Sequence, residues 1–180
     1  IKRYIKNILV SIIHITVPEV MRVLVEDKNC KIDDFLGPSH VIDISGSKIY
    51  EEFPLSYNKP VVVSGFEPVD VMQSISMIVK QFKEKRSDLE IEYKRLVSYE
   101  GNLKAQELIN KYFRKVPFKF RGIGEVENSG YELKDEFDKY NAKIVYKDKL
   151  PTQEVKENKA CKCPEIWKGV AKPTDCKIVG

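Results

Sequence analysis

The sequence has few of the residues that most often carry catalysis. Its 180 residues include two histidines, four cysteines and one tryptophan. It contains no Gly-x-Ser-x-Gly nucleophile elbow, no P-loop and no Gly-x-Gly-x-x-Gly dinucleotide fingerprint. These absences exclude the usual sequence signatures of α/β hydrolases, P-loop nucleotide hydrolases and dinucleotide-dependent dehydrogenases.

Long apolar runs are also absent. The apolar run at residues 8–13 ends at His14, and it is far shorter than the ~20 residues that a membrane-spanning helix needs. A positive stretch precedes this run, but no small-x-small cleavage site follows it, so it lacks the pattern of an export signal. We therefore predict a buried strand at residues 8–13, no membrane association and a cytoplasmic location.

Neither sign of charge dominates the chain. Lysine and arginine number 31 and aspartate and glutamate 27, which gives a formal net charge of +4. The two signs are mixed, as in residues 83–88, and such stretches are typical of solvated faces. No RNP, zinc-finger or helix-turn-helix signature is present, so we predict no nucleic-acid partner.

Segments typical of strands and helices alternate along the chain. Residues 60–63 form the clearest buried strand, and Pro68 suits the first position of a long helix because that position needs no N–H donor. Asn102 is a predicted N-cap, and Thr16 with Glu19 forms a predicted capping box. This alternation predicts an α/β fold, with a mostly parallel sheet flanked by helices in a Rossmann-like layer. Other predicted elements are short strands at 41–42 and 92–97 and a short helix at 135–140.

The composition changes near residue 146, where the chain becomes polar and lysine-rich and then cysteine-rich. We predict an α/β domain at residues 1–147 and an irregular, cysteine-rich metal or iron–sulfur segment at residues 148–180. The first residue is not Met, and three cysteines lie within the last twenty residues. We interpret the chain as a fragment whose cysteine-rich segment is incomplete.

The clearest candidate metal ligands are Cys161, Cys163 and Cys176. Structural zinc takes four nitrogen or sulfur ligands, and a cubane iron–sulfur cluster takes four thiolates. The spacing C-x-C-x12-C matches neither a zinc ribbon nor a ferredoxin, so it predicts a metal site without naming the metal. The alternative is a group of unligated thiols. Cys30 is isolated in the sequence and is interpreted as structural.

A turn after the clearest buried strand is a candidate binding cleft. Its residues are Gly65, Phe66, Glu67 and Pro68. Sites in parallel α/β sheets form beyond the carboxyl ends of the strands, which is where this turn is expected to lie. The Glu67 carboxylate has the chemistry to orient a ligand. The alternative is that it stabilises the start of the next helix through the helix dipole.

A glycine-rich loop holds Arg121, Gly122 and Gly124. Such a loop presents backbone N–H groups and a guanidinium, which together suit an anion. The alternative is a purely structural turn. His14 follows the predicted first strand and is a candidate to face a cleft, the alternative being a buried, hydrogen-bonded structural histidine.

Several sequence blocks occur in an order that is more specific than any block alone. Together they resemble the HypD family of [NiFe] hydrogenase maturation proteins, and the resemblance extends over nearly all 180 residues. The blocks are LGPSHV at 36–41, PVVVSGFEPVDVMQ at 60–73, EYKRLV at 92–97, EGN at 100–102, FRGIG at 120–124 and the cysteine-containing tail.

The resemblance implies a function. It implies a scaffold with a redox role in the assembly of the Fe(CN)2CO centre, rather than a metabolic enzyme, with HypC-type and HypE-type partners. It also implies iron and a [4Fe–4S] cluster, with Cys163 and Cys176 at ligand positions and Cys161 adjacent. The turn at 65–68 and the loop at 121–124 match cleft motifs of the family.

The chain departs from the family pattern beside two cysteines. Pro164 replaces a glycine after Cys163 and removes a backbone N–H that could bond a cluster sulfur. Lys177 stands where the family tends to have proline after Cys176. An α/β protein-interaction module with a zinc-binding tail is the alternative function.

Overall fold

A three-stranded parallel sheet lies at the centre of the computed structural model, which describes residues 7–151, 158 and 160–178. Its strands are β1 (Phe35–Pro38), β2 (Val61–Ser64) and β3 (Leu89–Ile91), in the spatial order β1-β2-β3. All four residues of β2 are buried, as the run of valines predicts for a strand with neighbours on both sides. The sheet confirms the predicted α/β fold.

Helices surround the sheet and supply most of its core. Met21, Ile42, Tyr50 and Phe53 pack with the β2 valines in the main buried cluster, and Tyr50 and Phe53 are fully buried. The helices are α1 (Val17–Glu26), α2 (Ser39–Ser45), α3 (Glu52–Tyr57), α4 (Pro68–Glu84), α5 (Leu103–Tyr112), α6 (Ala142–Val145) and α7 (Cys163–Trp167), with short 3-10 turns at Lys48–Tyr50, Asp135–Tyr140, Lys147–Lys149 and Pro173–Asp175.

A long antiparallel hairpin follows α5 and was not predicted from the sequence. Strands β4 (Phe113–Phe120) and β5 (Gly124–Leu133) pair along their length, with a register shift between Val116 and Phe118. Pro117 lies at that shift, where a residue without an N–H is tolerated. The hairpin packs against α1 in a second buried cluster that contains Val20, Leu24, Phe120 and Val126.

Three predicted strands are wrong in position. Residues 8–13 make only an isolated parallel bridge from Val10 to Asn141, and the side chains of Ile8 and Ile13 are exposed. Residues 41–42 lie inside α2, and residues 92–97 follow β3 instead of forming it. An apolar run becomes a strand of the sheet only if it reaches that sheet, whereas this segment lies against Asn141 and the hairpin, through bridges from Val10 to Asn141 and from Ile15 to Gly130.

The predicted helix starts are largely confirmed. Helix α4 begins at Pro68, and the Asn102 side chain caps α5 by accepting a hydrogen bond from the N–H of Ala105 at 3.0 Å. Thr16 is the N-cap of α1, but its side chain makes no capping hydrogen bond within the described residues. The first-turn carboxylate, Glu19, pairs with Lys115 of β4 at 2.6 Å.

The buried face of α4 differs from the one that its apolar spacing predicts. Ser74 and Gln81 are fully buried, whereas the side chains of Met72, Val79 and Phe82 are exposed. Gln81 is satisfied inside because it donates to Glu90 and accepts from the N–H of Asp88, both at 2.8 Å. Hydrogen-bonded polar groups therefore occupy this part of the interior.

The predicted domain boundary at 147/148 is not tested and stays a prediction. Residues 1–6, 152–157, 159 and 179–180 lie outside the described residues. Among the helices that the structure describes, none is both long enough and apolar enough to cross a membrane.

Candidate functional site

The turn after β2 is closed so tightly that only glycine fits its first position. A Cβ on Gly65 would overlap the carboxylate of Asp70 and would lie 2.5 Å from the Tyr93 ring. The Gly65 N–H points towards the Glu92 carboxylate, at 3.5 Å. The turn thus draws side chains from α4 and from the segment after β3 to the carboxyl edge of the sheet, as the sequence predicts for this position.

Two carboxylates and one guanidinium form the charged part of this edge. Arg95 Nη2 lies 2.7 Å from Asp70 Oδ2 and 3.6 Å from Glu67 Oε2. The Arg95 guanidinium also lies 4.1 Å from the centroid of the Tyr93 ring, within the range of a cation–π contact. Asp70 is buried, while Glu67 and Arg95 are exposed. Arg95 is thus paired with the buried Asp70 and lies beside the exposed Glu67 carboxylate.

The two carboxylates shift each other's pKa values in opposite directions. A hydrogen bond with Glu67, together with desolvation, raises the pKa of Asp70 above its ordinary value, against the effect of Arg95. The same hydrogen bond, with backbone N–H contacts and the Arg95 charge, lowers the pKa of Glu67. The shared hydrogen bond thus moves the pKa of the buried carboxyl upward and the pKa of the exposed carboxyl downward.

His40 joins this edge although the sequence analysis did not select it. Its ring stacks on Phe66 at 4.7 Å and 13° and lies 6.5 Å from the Tyr93 ring. Its Nδ1 is 3.2 Å from Ser39 Oγ. The sequence signal that could have predicted this place for His40 is the glycine-containing block at 36–41. Because β1 and β2 are parallel, with Pro38 opposite Ser64, the residues that follow the two strands lie at the same edge of the sheet.

His14 lies at a neighbouring groove. The segment around it follows β5, because the Tyr131 N–H donates to His14 O at 3.1 Å and the Thr16 N–H donates to Ser129 O at 2.8 Å. Both histidines line a groove of about 840 Å³ between α1, α2, α5 and the hairpin. The His14 side chain is exposed and is not a buried structural histidine, and its role at the groove stays a prediction.

The loop of Arg121, Gly122 and Gly124 forms the turn of the hairpin, and Gly122 contacts the cysteine-rich segment. A Cβ on Gly122 would lie 2.8 Å from the Pro164 ring and backbone nitrogen. Gly122 has φ of +77° and Gly124 of +99°, which only glycine adopts at little cost. By these contacts the predicted site residues fall into two groups, one at the sheet edge and one around the cysteines.

Cys163 lies near the other two tail cysteines and near Arg121 of the hairpin turn. The Sγ atoms of Cys161 and Cys163 lie 2.9 Å apart. The hydrogen bond with Cys161, desolvation and the charges of Cys161 and Cys176 raise the pKa of the Cys163 thiol, whereas Arg121 acts in the opposite direction. Cys176 is buried. Within residues 7–151, 158 and 160–178, however, no three His, Cys, Asp or Glu side chains are arranged to hold a metal ion.

Two contacts fasten the cysteine-rich segment to the end of α1. Lys168 Nζ lies 2.7 Å from Asp27 Oδ2, and the Lys31 N–H donates to Lys168 O at 2.7 Å. A Cβ on Gly169 would lie 3.3 Å from the Lys31 backbone. Cys30 precedes Lys31, so the fourth cysteine lies in the loop to which this segment is attached.

Comparison with known proteins gives a consistent result over the whole chain. The HypD model, described as the hydrogenase formation hypA family, matches residues 1–180. A protein named hydrogenase maturation factor HypD2 from Bradyrhizobium diazoefficiens is 39% identical over 99% of this chain and 48% of its own length.

Two further relatives carry similar names. Hydrogenase maturation factor HypD from Cupriavidus necator is 38% identical over 98% of this chain and 48% of its own length. Its namesake from Rhizobium leguminosarum bv. viciae is 42% identical over 83% of this chain and 39% of its own length. The chain thus spans about half the length of the curated relatives that it matches.

Proposed function

This chain belongs to the HypD family, and from that premise we propose that it acts in hydrogenase maturation. The observation that carries the proposal is the family match along residues 1–180, together with relatives named as hydrogenase maturation factors. The proposed role is that of a scaffold with a redox component in assembling the Fe(CN)2CO centre. Iron is cargo in this role, and HypC-type and HypE-type proteins are the proposed partners.

The cysteine-rich segment is the proposed holder of a [4Fe–4S] cluster, through Cys161, Cys163 and Cys176. The donors suit such a cluster, because thiolates are its ordinary ligands. The number of donors does not suit it, because a cubane takes four. A fourth ligand and a closer approach of the sulfurs are therefore part of the proposal. When bound, the cluster would supply single electrons.

The carboxyl edge of the sheet is the proposed surface for iron cargo or for a partner. The side chains of Phe66 and Glu67 are exposed there, and His40 stacks on Phe66. Ligands of open α/β sheets bind beyond the carboxyl ends of the strands, which supports this placement. In the proposal, Arg95 orients the Glu67 carboxylate, and the Gly65 turn holds both against the sheet.

Anaerobic iron–sulfur reconstitution tests the cluster. In the complete gene product we expect about four iron and four sulfide per chain, an EPR signal after reduction, and loss of both in Cys163→Ser and Cys176→Ser. Cys30→Ser is the matched control and keeps the cluster if Cys30 is structural. Loss in Cys30→Ser as well would identify the fourth ligand. Zinc alone would contradict the cluster and favour the protein-interaction module with a zinc-binding tail, whereas no metal would contradict both.

Maturation in cells tests the wider role. The complete gene product is expressed in a host that lacks its own HypD-type factor, and hydrogenase activity is measured. We expect activity to be restored by the natural sequence and to be lost with Cys163→Ser. A host that remains without hydrogenase activity, although the protein accumulates and its assumed partners are present, would contradict the maturation role.

A further inference from the structure

Helix α4 presents a row of apolar side chains to the solvent, which we call the α4 stripe. Its members recur every three or four residues and are each between 41% and 73% exposed: Val69, Met72, Ile75, Val79 and Phe82. None of the five belongs to the two buried clusters of the described residues. Single exposed apolar side chains are common, but a contiguous row along one helix is typical of an interaction surface.

The opposite face of α4 shows that this sheet does not need the stripe. Towards the sheet, α4 buries Asp70, Ser74, Ile78 and Gln81. The Ser74 hydroxyl donates to the Asp70 carbonyl oxygen at 2.8 Å, and Gln81 donates to Glu90 at 2.8 Å. A surface helix normally turns its apolar stripe towards the core and its polar face towards water. In α4 the arrangement is reversed, so the stripe is suited to a core that the described residues do not form.

The spacing of the stripe fits an α-helix as the element that covers it. Met72, Ile75, Val79 and Phe82 are separated by three, four and three residues. This is the a/d spacing with which two helices pack side by side at roughly 20°. The stripe therefore matches a second helix that carries apolar residues at the same spacing.

Charge marks one end of the stripe. Residues 71–79 contain no charged side chain, as is usual at the centre of an interface. Lys80 and Lys83 follow and are both exposed. Lys80 Nζ lies 3.9 Å from Glu84, and an exposed pair of this kind contributes little to stability. A covering helix that is acidic at this end complements the two lysines.

The length of the HypD relatives indicates where the covering helix comes from. Two of them match 98–99% of this chain, but the match spans only 48% of their own length. About half of each relative thus has no counterpart in these 180 residues. In a full-length protein of the family, that half belongs to the same polypeptide and meets the stripe at an effective concentration of roughly millimolar order. It therefore has the advantage over a second copy or a separate protein.

We propose that the α4 stripe is the docking surface for an α-helix from the part of a full-length HypD-type protein that this chain does not span. Phe66, three residues before Val69, is also exposed, so the docked part borders the turn at the sheet edge. The proposal rests on membership of the family and not on a role in hydrogenase maturation. Its test contains no maturation step, so the two proposals fail separately.

Cysteine labelling tests whether the stripe is covered. Val79→Cys is made in the 180-residue chain and in the complete gene product, and its reaction with a maleimide is followed by peptide mass spectrometry. We expect rapid labelling in the chain, where Val79 is 44% exposed, and labelling slower by about tenfold or more in the complete gene product. Glu107→Cys, at an exposed polar position of α5, is the matched control and should react at the same rate in both.

A charge placed in the stripe tests the same contact through stability. Val79→Lys should leave the urea midpoint of the 180-residue chain nearly unchanged, because the side chain is exposed there. It should lower the midpoint of the complete gene product, because the ammonium group is buried in the interface without a partner. Glu107→Lys is the control and should leave both midpoints unchanged.

Two labelling results would overturn the proposal. Equal rates for Val79→Cys in the two proteins would mean that the stripe is free in the complete gene product. Protection that rises with protein concentration would assign the stripe to a second copy. If Val79→Cys fails to fold, Met72→Cys, at a position that is 66% exposed, gives the same measurement.

Discussion

The two groups of site residues are held in place by different means. At the sheet edge, Gly65 follows a fully buried strand, and its turn is packed against Asp70 and Tyr93. Around the cysteines, a short helix rests on the hairpin turn through Gly122 and Pro164. The first group is built into the main core, whereas the second is attached to the surface at a few points.

This difference determines how freely the side chains of each group can move. A residue packed in a core cannot move without moving its neighbours, because protein interiors are close-packed. A segment held by a few partly exposed contacts can move at small cost. The turn at the sheet edge is thus preformed, whereas Cys161 and Cys163, which are only partly buried, have more freedom to move than the buried Cys176.

The largest expected effect comes from emptying the core beneath the sheet. Phe53 is fully buried and contacts the rings of Phe35, Tyr50 and Tyr57. Phe53→Ala should lower the free energy of unfolding by ~4 kcal/mol, because it removes buried apolar area and leaves a cavity. Urea unfolding followed by circular dichroism measures this loss.

The matched change in the cysteine-rich segment is Trp167→Ala. The Trp167 side chain is 45% exposed, so its removal should cost less than ~1 kcal/mol in the same measurement. Equal losses in the two variants would show that the segment is as much a part of the core as the sheet is.

A smaller loss is expected at the sheet edge itself. In Gly65→Ala the new methyl group would overlap the Asp70 carboxylate and crowd the Tyr93 ring, which are both held by Arg95. The free energy of unfolding should fall by ~2–3 kcal/mol, the upper part of the roughly 1–3 kcal/mol that overpacking usually costs. Urea unfolding gives the size of this loss.

Gly37→Ala is the control on the neighbouring strand. Its new methyl would lie 2.9 Å from Cδ1 at the end of the Ile42 side chain and at ordinary contact distance from Val61 and Val63, so the loss should be ~1 kcal/mol, smaller than in Gly65→Ala. The idea of a rigid edge fails if the two glycine variants are equally stable.

At the hairpin turn, a pair of glycine variants separates the effect of backbone strain from the effect of the contact with Pro164. Gly122→Ala and Gly124→Ala both place a side chain at positive φ and should each cost ~1–2 kcal/mol. The Gly122 methyl would also push on Pro164, whereas the Gly124 methyl would meet nothing within 4 Å.

Only Gly122→Ala should therefore release Cys163. Alkylation by iodoacetamide, followed by mass spectrometry, should be several-fold faster at Cys163 in Gly122→Ala than in Gly124→Ala. Identical alkylation rates would mean that the Gly122–Pro164 contact does not position the cysteine.

The subtlest effect is the pH dependence of the carboxylate pair. The pKa of Asp70 is raised in the folded protein, so its contribution to stability is present below its unfolded value of 3.8 and is lost as pH rises through the folded value. Asp70→Asn should therefore gain stability relative to the natural sequence as pH rises over this range. Urea unfolding at a series of acidic and neutral pH values measures it.

Glu67→Gln should show the opposite trend. The pKa of Glu67 is lowered, so its contribution is present above its unfolded value of 4.5 and is lost as pH falls through the folded value. The Gln variant should thus lose relative stability as pH rises. If Asp70→Asn instead behaves like Glu67→Gln, Arg95 and not Glu67 controls the Asp70 carboxylate.

Local chemistry predicted the elements whose signals lie within a few residues. Pro68 starts a helix because its ring fixes φ and its missing N–H is not needed there, and Asn102 caps one because its side chain reaches an unpaired N–H. The hairpin was missed because Pro117 interrupts an otherwise alternating segment and argues against a strand. Residues 8–13 were wrongly predicted to be a buried strand, because an apolar run in the sequence does not show which other element it packs against.

The sequence by itself determined the family, the α/β class, the glycine at the end of β2 and the clustering of three cysteines, since these depend on residue order and on short-range geometry. Only the tertiary structure decided that His40 stacks on Phe66, that Gly122 packs against Pro164, and that Tyr50 and Glu19 line the same groove. The physical reason is that such contacts join residues far apart in the chain, and they depend on which strands pair and which helix faces are buried.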